Sequence, residues 1–106
     1  MKITFYTTAA GRSPVLDYLK ALSKPERARL FEALDQVERR GFDAARVQFR
    51  HIDGKLWELK VSAHRVFYVL IERDEMILLH AYKKEGQRLP LKERDAAIRR
   101  MKEVLT

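Results

Sequence analysis

The chain contains no cysteine. That absence excludes a disulfide framework, a thiolate nucleophile and a Cys-ligated metal centre. Glycine is nearly as scarce, and the four residues at 11, 41, 54 and 86 lie too far apart to form a loop that cradles phosphate. A nucleotide cofactor is therefore not expected. Histidine occurs only at 51, 64 and 80, without HxxxH or HExxH spacing, and no run of carboxylates resembles a Mg²⁺ or Ca²⁺ loop. No metal site is expected. There is no Gly-x-Ser-x-Gly elbow, and the closeness of Ser62 to His64 is a closeness in sequence only. No stretch reaches the ~18 apolar residues of a membrane span. The start, Met-Lys-Ile-Thr-Phe, has one charged side chain and no apolar run of signal length. The expectation is a small cytoplasmic domain with no membrane partner.

What is present is charge and a modest apolar fraction. Of the 106 residues, 46% are apolar and 35% charged, enough for one core between a sheet and a few helices and too little for two. One domain over residues 1–106 is expected. Twenty-two Lys and Arg against 15 Asp and Glu leave a net charge of +7, which favours an acidic partner. The excess is uneven. Residues 1–50 hold ten basic against six acidic side chains, residues 51–82 four against five, and residues 83–106 eight against four. Three of the five central acids fall in one turn, Glu72-Arg73-Asp74-Glu75. Outside it Lys55, Lys60 and Arg65 outnumber Asp53 and Glu58, so a basic surface is expected where the sheet meets the basic tail.

Residues Lys2–Tyr6 alternate in polarity and read as a strand. Ser13-Pro14 is an N-cap followed by a proline at the first helical position, and Val15, Leu16 and Leu19 would line one face of a short helix. Ser23-Lys24-Pro25-Glu26 has capping-box spacing. Leu30, Phe31, Leu34 and Val37 then recur at helical period until Gly41. Val47–Ile52 is a strand, Asp53-Gly54 a hairpin signal, and Leu56–Val61 a strand with Trp57, Leu59 and Val61 on one face and Leu56, Glu58 and Lys60 on the other. His64–Ile71 reads as a longer, more buried strand, paired with Met76–Tyr82 across the acidic turn. After Pro90 a final helix carries the stripe Ala97, Ile98, Met101, Val104 and Leu105. The fold class is α+β: a twisted antiparallel sheet of four to five strands, with two N-terminal helices and one C-terminal helix on one sheet face.

The remaining chemistry is cationic. Lys60 points away from the Trp57 face, Arg65 opens the next strand, and Lys83-Lys84 closes the one after. If the three strands are neighbours, these four cations converge on one surface. Convergent cations suit a phosphodiester, because attack by a ribose 2′-hydroxyl builds extra negative charge on phosphorus. A Lys crowded by other cations can also move protons near neutral pH. The other reading is a solvated face that binds an acidic partner. Among the aromatics, Trp57 alternates with Leu59 and reads as core. Tyr68 and Tyr82 read equally as base-stacking or as core-edge residues. His80 reads as a hydrogen-bonded structural residue, and His64, beside the cations, as a candidate for acid–base work.

Three segments in order carry a family pattern: Gly54-Lys55-Leu56-Trp57-Glu58-Leu59-Lys60, then Arg65-Val66-Phe67-Tyr68, then Leu79-His80-Ala81-Tyr82-Lys83-Lys84. Pro90-Leu91-Lys92-Glu93, followed by Ala97 and Arg100, adds a fourth. Together they resemble the phage Gp49-like (HigB-type) branch of the RelE/ParE toxins, over about residues 47–102. The resemblance implies a RelE-like fold and the toxin of a type II toxin–antitoxin pair. The implied activity is metal-independent, ribosome-dependent cleavage of mRNA that inhibits translation, leaving a 2′,3′-cyclic phosphate and a 5′-hydroxyl without a cofactor. The implied partners are the ribosome and mRNA, a HigA-type helix-turn-helix antitoxin, and operator DNA only through the antitoxin complex.

By position, the resemblance makes Arg65 and Lys84 phosphate stabilisers and Lys60 or His64 the proton-transfer group, with Lys83, Lys55, Tyr82 and Tyr68 contacting RNA. Lys60 stands where this branch commonly has Arg, which keeps the charge but loses the bidentate fork. No tyrosine follows Lys84, so the role of the C-terminal RelE-type tyrosine falls to Tyr82, Tyr68 or His64. ParE relatives share the fold and inhibit DNA gyrase without cutting RNA, and a non-toxic basic nucleic-acid-binding module is a third reading; fold alone does not decide among them.

Overall fold

The computed structural model describes all 106 residues. The elements run Lys2–Phe5 (β1), Pro14–Ala21 (α1), Lys24–Arg40 (α2), a 3-10 turn at Gly41–Asp43, Gln48–Asp53 (β2), Leu56–Val61 (β3), His64–Ile71 (β4), Glu75–Lys83 (β5) and Leu91–Leu105 (α3). Ser13 caps α1, its Oγ accepting from the Leu16 N–H at 3.3 Å. Ser23 caps α2 in the same way, but the reciprocal half of the expected capping box is not made. Instead the Ser23 hydroxyl donates to Glu26 Oε2 at 3.2 Å, while Oε1 of the same carboxylate faces His64 and Lys83. The hairpin between β2 and β3 also differs by one residue. Asp53 pairs with Leu56, so the loop is Gly54-Lys55, and Gly54, at φ 55°, takes the left-handed first position that glycine fills without strain.

The five strands lie in the order β1-β5-β4-β3-β2. All neighbours are antiparallel except β1 and β5, which are parallel. The sheet is therefore mixed, where the sequence suggested a purely antiparallel one. The two helices after β1 carry the chain from one sheet edge to the other, so β1 meets β5 instead of a sequence neighbour. Polarity alternation within β1 contains nothing about the direction of that partner.

The helices also do not share one face. One core cluster joins α1 and α2, through Val15, Leu19, Leu30, Leu34 and Val37, to Leu59, Val66, Tyr68 and Leu78 on the sheet. A second joins Ala97, Ile98, Met101 and Val104 of α3 to Leu56, Phe67, Val69 and Leu79 on the opposite side. This corrects the single-face expectation. The unbroken apolar run through β4 is the signature of a strand covered on both sides. Two members of the expected stripes lie outside the core: Phe31 is 42% exposed and Leu105 40% exposed. Ala33 takes the place of Phe31, because it shares a helical face with Leu30, Leu34 and Val37.

Tyr68 is buried completely, edge-on to Phe49 at 6.3 Å, and its hydroxyl has no hydrogen-bond partner. A buried unpaired hydroxyl carries a desolvation penalty with no bond to offset it. Tyr68→Phe is expected to stabilise the fold by about 1 kcal/mol. Thermal melts of the two proteins check this, and a variant melting several degrees lower would show the hydroxyl to be bonded.

Candidate nucleic-acid interface

Strand register builds the site. Gln48 lies opposite Lys60, Lys60 opposite Arg65, and Arg65 opposite Tyr82, so four strands contribute one polar row. Alternation turns this row to the same side of the sheet as Leu56 and Phe67, the side that α3 covers farther along. The next row begins with Arg50 opposite Glu58 and ends under α3 with Phe67 and His80. Where α3 no longer covers the sheet, a groove of about 540 Å³ opens, lined by Gln48, Arg50, Glu58, Lys60, Arg65 and Lys84 together with Phe49.

Each group in the groove is held differently. The Glu58 carboxylate is 2% exposed and forms the floor; Arg50 Nη2 approaches its Oε1 at 3.2 Å, and the Tyr82 hydroxyl donates to its Oε2 at 3.3 Å. Desolvation, and secondarily the Glu58 charge, raise the Tyr82 pKa to about 12, so this phenol remains a donor at neutral pH. Its ring stacks on Phe67, with centroids 5.6 Å apart. Arg65 is nearly buried, and its Nη1 donates to the carbonyls of Ser62 at 2.8 Å and His64 at 3.2 Å. The β3–β4 turn thus fixes the guanidinium while no carboxylate neutralises it. Lys60 is exposed and Lys84 half-buried, and neither forms an ion pair. Four cations therefore surround one carboxylate, an arrangement that attracts an anion.

The structure brings Lys60, Arg65, Lys84 and Tyr82 together and separates the others. Lys83 lies opposite His64 in the β4–β5 register, on the α2 side, and its Nζ is 3.5 Å from Glu26. The expected convergence of four cations is thus a convergence of three, because consecutive residues at the end of β5 point to opposite faces. His64, 2% exposed, is on that far side as well, so it cannot reach the groove. Tyr68 lies within the α1–α2 core, out of reach of a base. Lys55 is exposed in the β2–β3 hairpin, five residues along β3 from Lys60, which is about 16 Å at the strand rise. Trp57 is half-buried against the α1–α2 core, in line with its core reading.

Four groove residues lie outside the set that the sequence points to: Gln48, Phe49, Arg50 and Glu58. The two-residue period of β3 already places Glu58 on the face of Lys60. Only the pairing register, however, brings Gln48 and Arg50 beside them.

The two inner histidines are each held between side chains of separate elements. Arg100 Nη1 donates to His80 Nδ1 at 2.7 Å, so the ring proton is on Nε2, where it is donated to Glu93 at 2.6 Å. His80 thereby ties α3 to β5, as its hydrogen-bonded structural reading implies. Tyr18 Oη is 2.6 Å from His64 Nδ1, and His64 Nε2 is 3.3 Å from Glu26. Burial is the leading cause that pushes both histidine pKa values below the ordinary 6.5, against the raising effect of Glu26 and Glu93. The unfolded chain therefore takes up these protons first on acidification, and stability rises with pH through this window. The denaturant midpoint is expected to fall progressively as pH drops below about 6.5. A variant carrying His64→Gln and His80→Gln should show a flatter profile, measured by urea titration across the range.

No helix is long and apolar enough to cross a membrane. None of the curated proteins compared matches this chain. The family model described as "Phage derived protein Gp49-like (DUF891)" matches residues 17–102, a span that contains the whole polar row and both core clusters apart from their members before residue 17 and Val104. The chain belongs to the Gp49-like phage-derived protein family.

Proposed function

We propose that this protein is the toxin of a type II toxin–antitoxin pair and acts as a metal-independent endoribonuclease on ribosome-bound mRNA, thereby inhibiting translation. The observation that carries the reading is the groove in which Arg50, Lys60, Arg65 and Lys84 surround the Glu58 carboxylate. A scissile phosphate fits there because its charge is complementary to the rim, while the floor supplies the only carboxylate. Family membership and the RelE/ParE resemblance support the same reading.

In the proposed reaction, the ribose 2′-oxygen forms a bond to the adjacent phosphorus and the bond to the 5′-oxygen breaks. Glu58 accepts the 2′-hydroxyl proton once Arg50, whose side chain is 59% exposed, turns from the carboxylate to the incoming phosphate. Arg65, positioned by two backbone carbonyls, and Lys84 bear on the non-bridging oxygens as their charge grows. Lys60 gives a proton to the departing 5′-oxygen. The products are a 2′,3′-cyclic phosphate and a 5′-hydroxyl. Tyr82 and Gln48 flank the row as RNA contacts. The partner that neutralises the toxin in this reading is a HigA-type helix-turn-helix antitoxin, and the pair together binds operator DNA.

The direct test is primer extension on transcripts translated by purified ribosomes. New 3′ ends should arise only when ribosomes and this protein are both present. Arg65→Ala or Lys84→Ala should abolish both the cuts and growth arrest on expression while the protein remains folded, with the melt of Lys84→Ala unchanged. Glu58→Gln, which retains volume and polarity, should slow cleavage by about 10²-fold or more. Intact transcripts together with inhibited gyrase supercoiling would replace this reading with a ParE-like one. Intact transcripts, active gyrase and no growth arrest would leave a non-toxic nucleic-acid-binding module.

A further inference from the structure

On the other side of the sheet from the cationic groove lies a larger cleft, of about 730 Å³, between α2 and the segment that leads into β2. Arg29, Glu32, Gln36 and Arg40 follow one another at helical spacing along its α2 wall. From Arg29 to Arg40 the wall is about 16 Å long, the reach of about five extended residues. Arg46 stands on the opposite wall, in a left-handed conformation at φ 64° that a non-glycine residue adopts at a cost. The apolar lining is small: Ala33 and Val61 are buried beneath the cleft, and Ala28 and Ala45 are exposed.

Two features say what this cleft suits. First, Arg29, Arg40 and Arg46 take part in no ion pair, and Glu32 is the single acid that lines the cleft. Three guanidinium groups are thus available to carboxylates, for which their planar fork is well matched. Second, no aromatic side chain lines the cleft. A single-stranded nucleic acid draws much of its affinity from stacking on aromatic rings, and this floor offers none. Short alkyl side chains between acidic ones would instead bury apolar surface on the alanines while their carboxylates reach the arginines.

We infer that this cleft is a docking site for a segment of a partner protein in which Asp or Glu residues alternate with small apolar residues. The site does not depend on the nuclease reading, since the polar row and the cleft lie on opposite faces of the sheet. Such a partner would leave the cationic groove open.

A library of random dodecapeptides displayed on phage, selected on the full-length protein, tests the proposal. The expected consensus has two or more Asp or Glu residues interspersed with Ala, Val or Leu. A fluorescent peptide of that consensus should bind at least tenfold more weakly to the Arg29→Ala, Arg40→Ala double variant. Ala28→Trp, an exposed position where a large ring blocks the floor, should weaken binding comparably. Both variants should melt at the temperature of the parent protein. Lys60→Ala with Lys84→Ala should change peptide affinity less than twofold. A 12-nucleotide single-stranded RNA should bind the Arg29, Arg40 double variant as it binds the parent. Selection without an acidic consensus, or peptide binding that survives both cleft variants, overturns the proposal. RNA affinity that falls tenfold with Arg29 and Arg40 also overturns it, assigning the cleft to nucleic acid.

Discussion

Because β4 is covered on both faces, each step of one residue along it carries a side chain from one environment to another. Val66 and Tyr68 pack under α1 and α2, while Phe67 and Val69 pack under α3. The same two-residue period extends to the polar end of the strand, where Arg65 faces the groove and His64 faces Glu26 and Tyr18. A one-residue slip in register would exchange these two sets and bury Arg65 against Tyr18. The apolar packing in the middle of β4 therefore determines which charges share a surface at its end. Two apolar layers, with no direct part in the chemistry, hold that register.

The groove concentrates charge at a cost. Like charges gathered on one surface repel one another, and that repulsion opposes folding. Glu58 offsets part of this repulsion from within, and Arg50 and Tyr82 in turn satisfy its two oxygens. Lys60 is exposed, so water solvates its ammonium group. A phosphate entering the groove would relieve the remaining repulsion, so the same imbalance that strains the free protein favours an anionic ligand. The α2 cleft differs in kind: Arg29 and Arg40 stand on a solvent-facing helix wall, Arg46 stands across from them, and no buried carboxylate balances the three.

Much of the fold was legible because it rests on local rules. The serine caps at 13 and 23, the proline at 14, the helical stripe through Leu30, Leu34 and Val37, and the alternation of β3 all describe interactions within a few residues. What failed was non-local. The parallel pairing of β1 with β5 and the placement of α3 on the second face depend on how segments far apart in the chain pack together. The apolar run of β4 did announce two-sided burial, yet it named neither the helix nor the face. Phe31 leaves the stripe for a smaller reason: its neighbour Leu30 already occupies it, and a step of one residue on a helix turns the side chain through about 100°.

The candidate site divides along the same line. By itself the sequence determined which residue types were available, that Lys60 and Glu58 share a face of β3, and that no thiol could take part, because these are matters of composition and of a period measured along one strand. Tertiary structure alone decided that Gln48, Arg50 and Tyr82 join Lys60, Arg65 and Lys84, and that Lys83 and His64 face Glu26 instead. Cross-strand register places side chains from separate segments next to one another, and it is set by the packing of the whole sheet between its two helical layers.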